Sequence, residues 1–156
     1  MSVSRRQVKI MISWIAAILW MLLIFYLSSQ TADSSNTVST GITTAILDLI
    51  ERVFPGLELE LEGFNHIVRK FAHFFAYLVL GTLVLNAHIV SGIKSKKAIL
   101  SSLAICVLYA ISDEVHQALV PGRGPQIRDV VIDSAGALAG AVLYSITSIR
   151  VNNEIG

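Results

Sequence analysis

Four apolar stretches constrain this chain more than any other feature. Residues 10–27 are interrupted only by Ser13, and residues 71–89 are broken by His73, Asn86 and His88. Residues 98–111 form a third run, and residues 130–149 a fourth with Asp133 near its start. A helix of about 20 apolar residues crosses the hydrocarbon of a bilayer. The third run is short, so its helix is expected to continue through Asp113–Gln117. Only 15% of the residues are charged and 54% are hydrophobic, against about a quarter charged in a soluble domain. The fold expected is all-α: an integral membrane bundle of four transmembrane helices, in a single domain over 1–156, with spans near 10–28, 71–90, 98–114 and 130–149. The first run exceeds the roughly 7–15 residues of a signal-peptide core, and Leu27-Ser28-Ser29 is a weak cleavage site. It reads as a retained helix. The lone Cys106 lies in an apolar run and reads as a small buried hydrophobe. It excludes an intramolecular disulfide and a cysteine-based metal site.

Charge divides the chain into two sides. Arg5, Arg6 and Lys9, then Lys94, Lys96 and Lys97, then Arg150 are opposed only by Glu154, a net charge of +6. The other two loops and their helix entrances carry Arg52, Arg69, Lys70, Arg123 and Arg128 against ten acids, a net of −5. The positive-inside rule then places both termini in the cytoplasm of a cell membrane and the acidic loops outside. An overall charge of +1 offers no nucleic-acid footprint. In the first outer loop, Ile42, Ile46, Leu49, Ile50 and Val53 recur at helical spacing, with Asp48, Glu51 and Arg52 opposite. That pattern suits a helix lying on the bilayer surface or a cap packed on the bundle. Pro55-Gly56 ends it, and Glu58, Glu60 and Glu62, alternating with leucines, suggest an extended segment.

Polar groups gather at the outer ends of three spans. His66, Lys70, His73 and Tyr77 share a helix face, with Arg69 four residues before His73. Tyr109, Asp113, His116 and Gln117 share another, and Glu114 points about 100° away from them. Asp129 and Asp133 share a third, followed by Gly136 and Gly140. Ionisable groups at membrane depth mark a functional site unless they serve only to pair with one another. The structural alternative is a charge network, with Lys70, His73, Arg123 and Arg128 locking against Asp113, Glu114, Asp129 and Asp133. In Pro121-Gly122-Arg123-Gly124-Pro125, glycines permit close approach to an arginine suited to phosphate or carboxylate. Arg123 would otherwise pair with Asp113 or Glu114. Gly136-x3-Gly140 reads as a close helix–helix contact and leaves room for an oligomer through the same face. His73, Asp113 and His116 could take a metal, but their spacing is not diagnostic; neither metal nor cofactor is expected. The sequence has no P-loop, dinucleotide fingerprint or serine-nucleophile motif.

Four pieces resemble the VanZ-like family of small membrane proteins. They are Trp20-x4-Phe25-x-Leu27-Ser28-Ser29-Gln30; Lys70-Phe71-x-His73-x3-Tyr77-x3-Gly81; Ser112-Asp113-Glu114-x2-Gln117-x3-Pro121-Gly122-Arg123; and Asp129-x3-Asp133-x2-Gly136-x3-Gly140. They occur in order across nearly the whole chain. In that pattern Asn is more frequent at position 133, which weighs against a role requiring charge at Asp133. The resemblance implies a cell-envelope membrane protein and, in some members, lowered susceptibility to the glycopeptide teicoplanin. It supplies no reaction.

Two functions are expected to compete. In the first, Lys70, His73 and Arg123 recognise the anionic headgroup of a membrane lipid or lipid-linked wall precursor. Asp113, Glu114 and Gln117 orient these cations or bind sugar hydroxyls, with Asp129 also at the binding site. In the second, the protein is a hydrolase or transferase: His73 is the general base or acid, Asp113 or Glu114 orients it, and Arg123 stabilises negative charge.

Overall fold

The computed structural model describes residues 4–55 and 60–155, with 149–155 given by backbone alone. Gly56 and Glu58 lie outside the described residues, as do the side chains of Arg150 and Glu154. Among the described residues the chain forms five helices and no strand: α1 (Arg5–Ser28), α2 (Ala32–Val53), α3 (Leu61–Val90), α4 (Ser95–Gln117) and α5 (Ile127–Ile155). All but α2 include a segment long and apolar enough to cross a membrane, within α5 over Ile127–Ser148. The protein is therefore a multi-pass, all-helical membrane protein.

Local chemistry sets the helix ends. Ser4 and Gln7 form a reciprocal capping box ahead of α1, satisfying two of its orphan N–H groups. The extended segment expected around Glu58–Glu62 gives way, where described, to the start of α3. Glu60 is its N-cap and Glu62 lies in its first turn, where carboxylates favour the helix dipole. With 30 residues, α3 is about 45 Å long. That exceeds a hydrocarbon core of about 30 Å, so its two ends reach both polar boundaries.

α3 is the central element and packs against each of the other four helices, most extensively against α5. Its Tyr77, Leu80, Val84 and Leu85 are buried, as are Ala17 and Ile24 of α1, Cys106 and Ala110 of α4, and Ala137 and Ala141 of α5. Hydrogen bonds add to this packing. Asn86 Nδ2 donates to Ser13 Oγ at 3.1 Å, and Tyr144 OH donates to Asn86 Oδ1 at 2.9 Å, linking α1, α3 and α5. Such inter-helix bonds supplement van der Waals contact in lipid, where no hydrophobic force draws helices together. At the basic end, Arg6 lies beside Gly92, whose φ of 91° turns the chain between α3 and α4.

The small residues of α5 contact α3 directly. A Cβ on Gly136 would stand 2.2 Å from Phe74 O, one on Gly140 2.0 Å from Leu78 O, and one on Gly81 2.3 Å from Ala137 O. The Gly136/Gly140 face, expected to be available to an oligomer, is thus covered by α3 of the same chain. Backbone approach this close needs glycine at these positions.

α2 behaves as both a cap and an amphipathic surface. Its buried Thr43 donates to Asn65 Oδ1 of α3 at 3.2 Å. Val38, Ile42, Leu49 and Val53 are exposed, and their spacing places them along one side of the helix. One face holds α3 and another presents an apolar stripe.

Gly140→Val should separate α3 from α5. Overpacking typically costs about 1–3 kcal/mol, and more is expected where the obstructing atom is backbone. Thermal unfolding of the detergent-purified protein should show a lowered midpoint, whereas Gly41→Ala, in open space within α2, should not lower it, since Ala favours a helix interior over Gly.

Candidate functional site

At the end of the bundle away from the basic residues, α3, α4 and α5 bring their polar faces together with the end of α1. The parallel contact of α3 with α5 sets the first pairs. Lys70 Nζ forms an ion pair with Asp129 and donates to Gln126 Oε1 at 3.1 Å. His73 Nδ1 stands 3.5 Å from Asp133 Oδ1, close enough for an ion pair but without a hydrogen bond. Asp133 is wholly buried. The neighbouring carboxylate of His73 is therefore Asp133. Tyr77 follows one turn along α3, fully buried, its hydroxyl without a hydrogen-bond partner.

From α4, Asp113 is 2% exposed. Its Oδ2 accepts from Ser28 Oγ at 2.8 Å and from Gln117 Nε2 at 3.0 Å. Gln117, expected to touch substrate, is buried and holds Asp113 instead. Asp113 Oδ1 has no hydrogen-bond partner. Glu114, on the neighbouring face, accepts from the Gln126 backbone N–H at 2.6 Å through Oε2. It fastens the loop that enters α5 and does not pair with His73. His116 turns the other way, its ring against Phe25 with centroids 4.3 Å apart. It joins neither Asp113 nor His73, because a helix cannot aim Asp113, Glu114 and His116 all inward. Asp129 faces Lys70, so of the binding residues expected from sequence, Lys70 and Asp129 engage each other.

Arg123 pairs with neither Asp113 nor Glu114. Its Nη1 donates to Ser28 O at 3.1 Å and Gln30 O at 3.5 Å, at the carbonyl-rich end of α1 where a cation is favoured. The turn is shaped for this: Gly122 has φ of 77° and lies against Ala32 at the start of α2, and Ala32 N–H donates to Pro121 O. Partial burial, reinforced by the nearby Arg69, lowers the Arg123 pKa; the charges of Asp113, Glu114 and Asp129 act in the opposite direction.

A cavity of about 250 Å³ opens beside these groups. Ile24, Leu27, Val38, Ile42, Val68 and Ala72 form its apolar wall, and Ser28, Arg69, His73, Tyr77 and Arg123 its polar part. Helix α2 supplies part of its wall. Arg69 also donates to Asn36 of α2, while its Nε is buried without a partner. His66 lies apart, in a second, more polar hollow with Asn36, Thr40, Glu62 and Asn65.

A model of the VanZ/LLP1 family matches residues 13–148. The chain belongs to the VanZ/LLP1 family. No curated protein and no solved structure matches it. The matched span of this VanZ/LLP1 chain contains every residue of the cluster. Sequence reasoning did not anticipate Ser28, which touches both Asp113 and Arg123; its signal was the Leu27-Ser28-Ser29-Gln30 piece at the end of the first span. Arg69 was visible only as a member of a cationic stripe.

Glu114→Ala would remove the side-chain acceptor of the Gln126 backbone N–H, a net loss of about 0.5–1.5 kcal/mol. Chemical unfolding in detergent should show a destabilisation of that size, and Glu114→Gln, which keeps an acceptor, a smaller one. Equal stability of Glu114→Ala and the parent protein would show that this bond does not hold the loop.

Proposed function

We propose that this VanZ/LLP1 protein binds an anionic amphiphile, a membrane lipid or lipid-linked wall precursor, with its apolar chain along α1–α3 and its headgroup at Arg69, His73 and Arg123. The observation that carries this reading is the cavity: its lining combines aliphatic side chains with two guanidiniums and an imidazole. A soluble anion would not need the aliphatic wall, and a neutral lipid would not need the arginines. Guanidinium suits phosphate through its planar fork.

The orientation completes the proposal. The basic end carries Arg5, Arg6, Lys9, Lys94, Lys96 and Lys97 and faces the cytoplasm of the cell membrane by the positive-inside rule. Both termini lie there and the cavity opens outward, where a changed lipid or precursor headgroup would alter teicoplanin susceptibility.

Binding is tested by titrating the detergent-purified protein with anionic and with zwitterionic phospholipid and counting bound lipid by native mass spectrometry. A hydrogen bond to a charged group contributes about 1.5–3 kcal/mol, so Arg69→Ala should weaken anionic-lipid binding roughly ten- to a hundredfold. Ala72→Trp should exclude the chain and lower binding of both lipids. Indifference to headgroup charge, with Arg69→Ala unchanged, would refute the proposal.

Topology has its own test. Gly124 is exposed with open space around it, and Cys106 is buried. Gly124→Cys should react with a membrane-impermeant thiol reagent in intact cells, and the parent protein should not. Labelling only after lysis would reverse the orientation.

A further inference from the structure

We propose that His73, Asp113 and Asp133 form a binding site for one divalent first-row transition ion, Zn²⁺ or Mn²⁺. One donor atom from each of the three lies within 4.8 Å of the others. They come from three different helices, α3, α4 and α5. The unpartnered atoms give the independent support. Both carboxylate oxygens of fully buried Asp133, and Asp113 Oδ1, have no hydrogen-bond partner. The Tyr77 hydroxyl, also fully buried, has none either.

Charge points to a cation. Two buried carboxylates in a membrane protein carry a severe desolvation penalty unless something compensates them. The permanent cations nearby are engaged elsewhere: Lys70 with Asp129 and Gln126, Arg123 with Ser28 O and Gln30 O, Arg69 with Asn36. A divalent ion neutralises both carboxylates and leaves His73 neutral as a nitrogen ligand. One imidazole with two carboxylates is a borderline-to-hard donor set suited to Zn²⁺ or Mn²⁺. Ligands about 2.0–2.2 Å from Zn²⁺ in a tetrahedron stand about 3.5 Å apart. His73 and Asp133 already have that separation, so closure needs only small side-chain shifts.

The surrounding contacts fit the same role. Ser28 and Gln117 both donate to Asp113 Oδ2, fixing that carboxylate while Oδ1 stays free. Metal-ligating carboxylates commonly have such outer hydrogen bonds. Of the three ligands, His73 also lines the 250 Å³ cavity, beside Tyr77. This site departs from the sequence-based expectations of no metal and of no charge-dependent role at position 133, and Asp133 replaces His116 in the set conceivable from sequence.

The test requires no lipid, so its outcome is separate from that of the binding proposal. The full chain in detergent is stripped with chelator, reloaded with Zn²⁺ or Mn²⁺, desalted and analysed for metal by mass spectrometry. One ion per chain is expected, with at least tenfold weaker binding in Asp133→Asn and in His73→Gln. Asp48→Asn, on the exposed side of α2, should bind as the parent does. The parent's unfolding temperature should rise on reloading, and that of Asp133→Asn should not. If the variants do not fold, Co²⁺ added to the parent protein supplies the answer: a visible absorption spectrum distinct from the aqueous ion supports the site, and an unchanged spectrum refutes it. Failure of the parent to take up either ion, or equal uptake by folded Asp133→Asn, also refutes it.

Discussion

The contact between α3 and α5 underlies the polar cluster. Small residues let the two backbones touch, with Gly136 against Phe74 O, Gly140 against Leu78 O and Gly81 against Ala137 O. The same side of α5 carries Asp133 about one turn and Asp129 about two turns before Gly136. Because the helices run parallel, the register that seats the glycines also seats Asp129 at Lys70 and Asp133 beside His73. Packing and charge placement are thus one constraint. A residue larger than glycine in this seam would shift the ion pairs as well as the backbones, and buried carboxylates depend on their partners more steeply than apolar contacts do.

The charges at this end fall into two groups with different work. Lys70 with Asp129, Glu114 with the Gln126 N–H, and Arg123 with the α1 carbonyls are paired in ways that fasten helices and loops. To that extent a locking network is present. His73, Asp113 and Asp133 are different in that they converge; Asp113 Oδ1 and both Asp133 oxygens lack hydrogen-bond partners, as does the second oxygen of Glu114. Locking helices together gains nothing from unsatisfied buried oxygens, since each costs about 1–3 kcal/mol or more when charged.

Much of the fold was legible in the sequence because lipid limits the options. A backbone crossing hydrocarbon must satisfy its own hydrogen bonds, so long apolar runs imply helices. The amphipathic spacing of Ile42, Ile46, Leu49, Ile50 and Val53 likewise marked α2. Helical periodicity grouped Lys70, His73 and Tyr77, and separately Asp129 and Asp133. It did not reveal which carboxylate meets which cation, because that depends on inter-helix register. Asp113 and Glu114 were expected as partners of His73. Asp113 does lie nearby, but the close α3–α5 packing makes Asp133 the carboxylate that meets the ring, and Glu114 is held by Gln126. The same limit applies to Arg123: its turn was visible, but the α1 carbonyls that receive it are 95 and 93 positions away along the chain.

The family resemblance gains physical content from this register. Ser28 from the first motif piece, His73 and Tyr77 from the second, and Asp113, Gln117 and Arg123 from the third occupy one connected region, with Asp133 from the fourth beside them. Gly81, Gly136 and Gly140 explain why those pieces also contain glycine: they set the helix separation at which the polar residues meet. Each piece is a few residues long and weak alone. Its information lies in an arrangement that requires all four, with the glycines and turn residues positioning what the charged residues can reach. The exposed aliphatic stripe on α2 extends that logic beyond the bundle. A helix whose polar side holds α3 and whose apolar side is uncovered is suited to lie against the acyl region of the leaflet, and its Val38 and Ile42 also line the cavity beside the cluster.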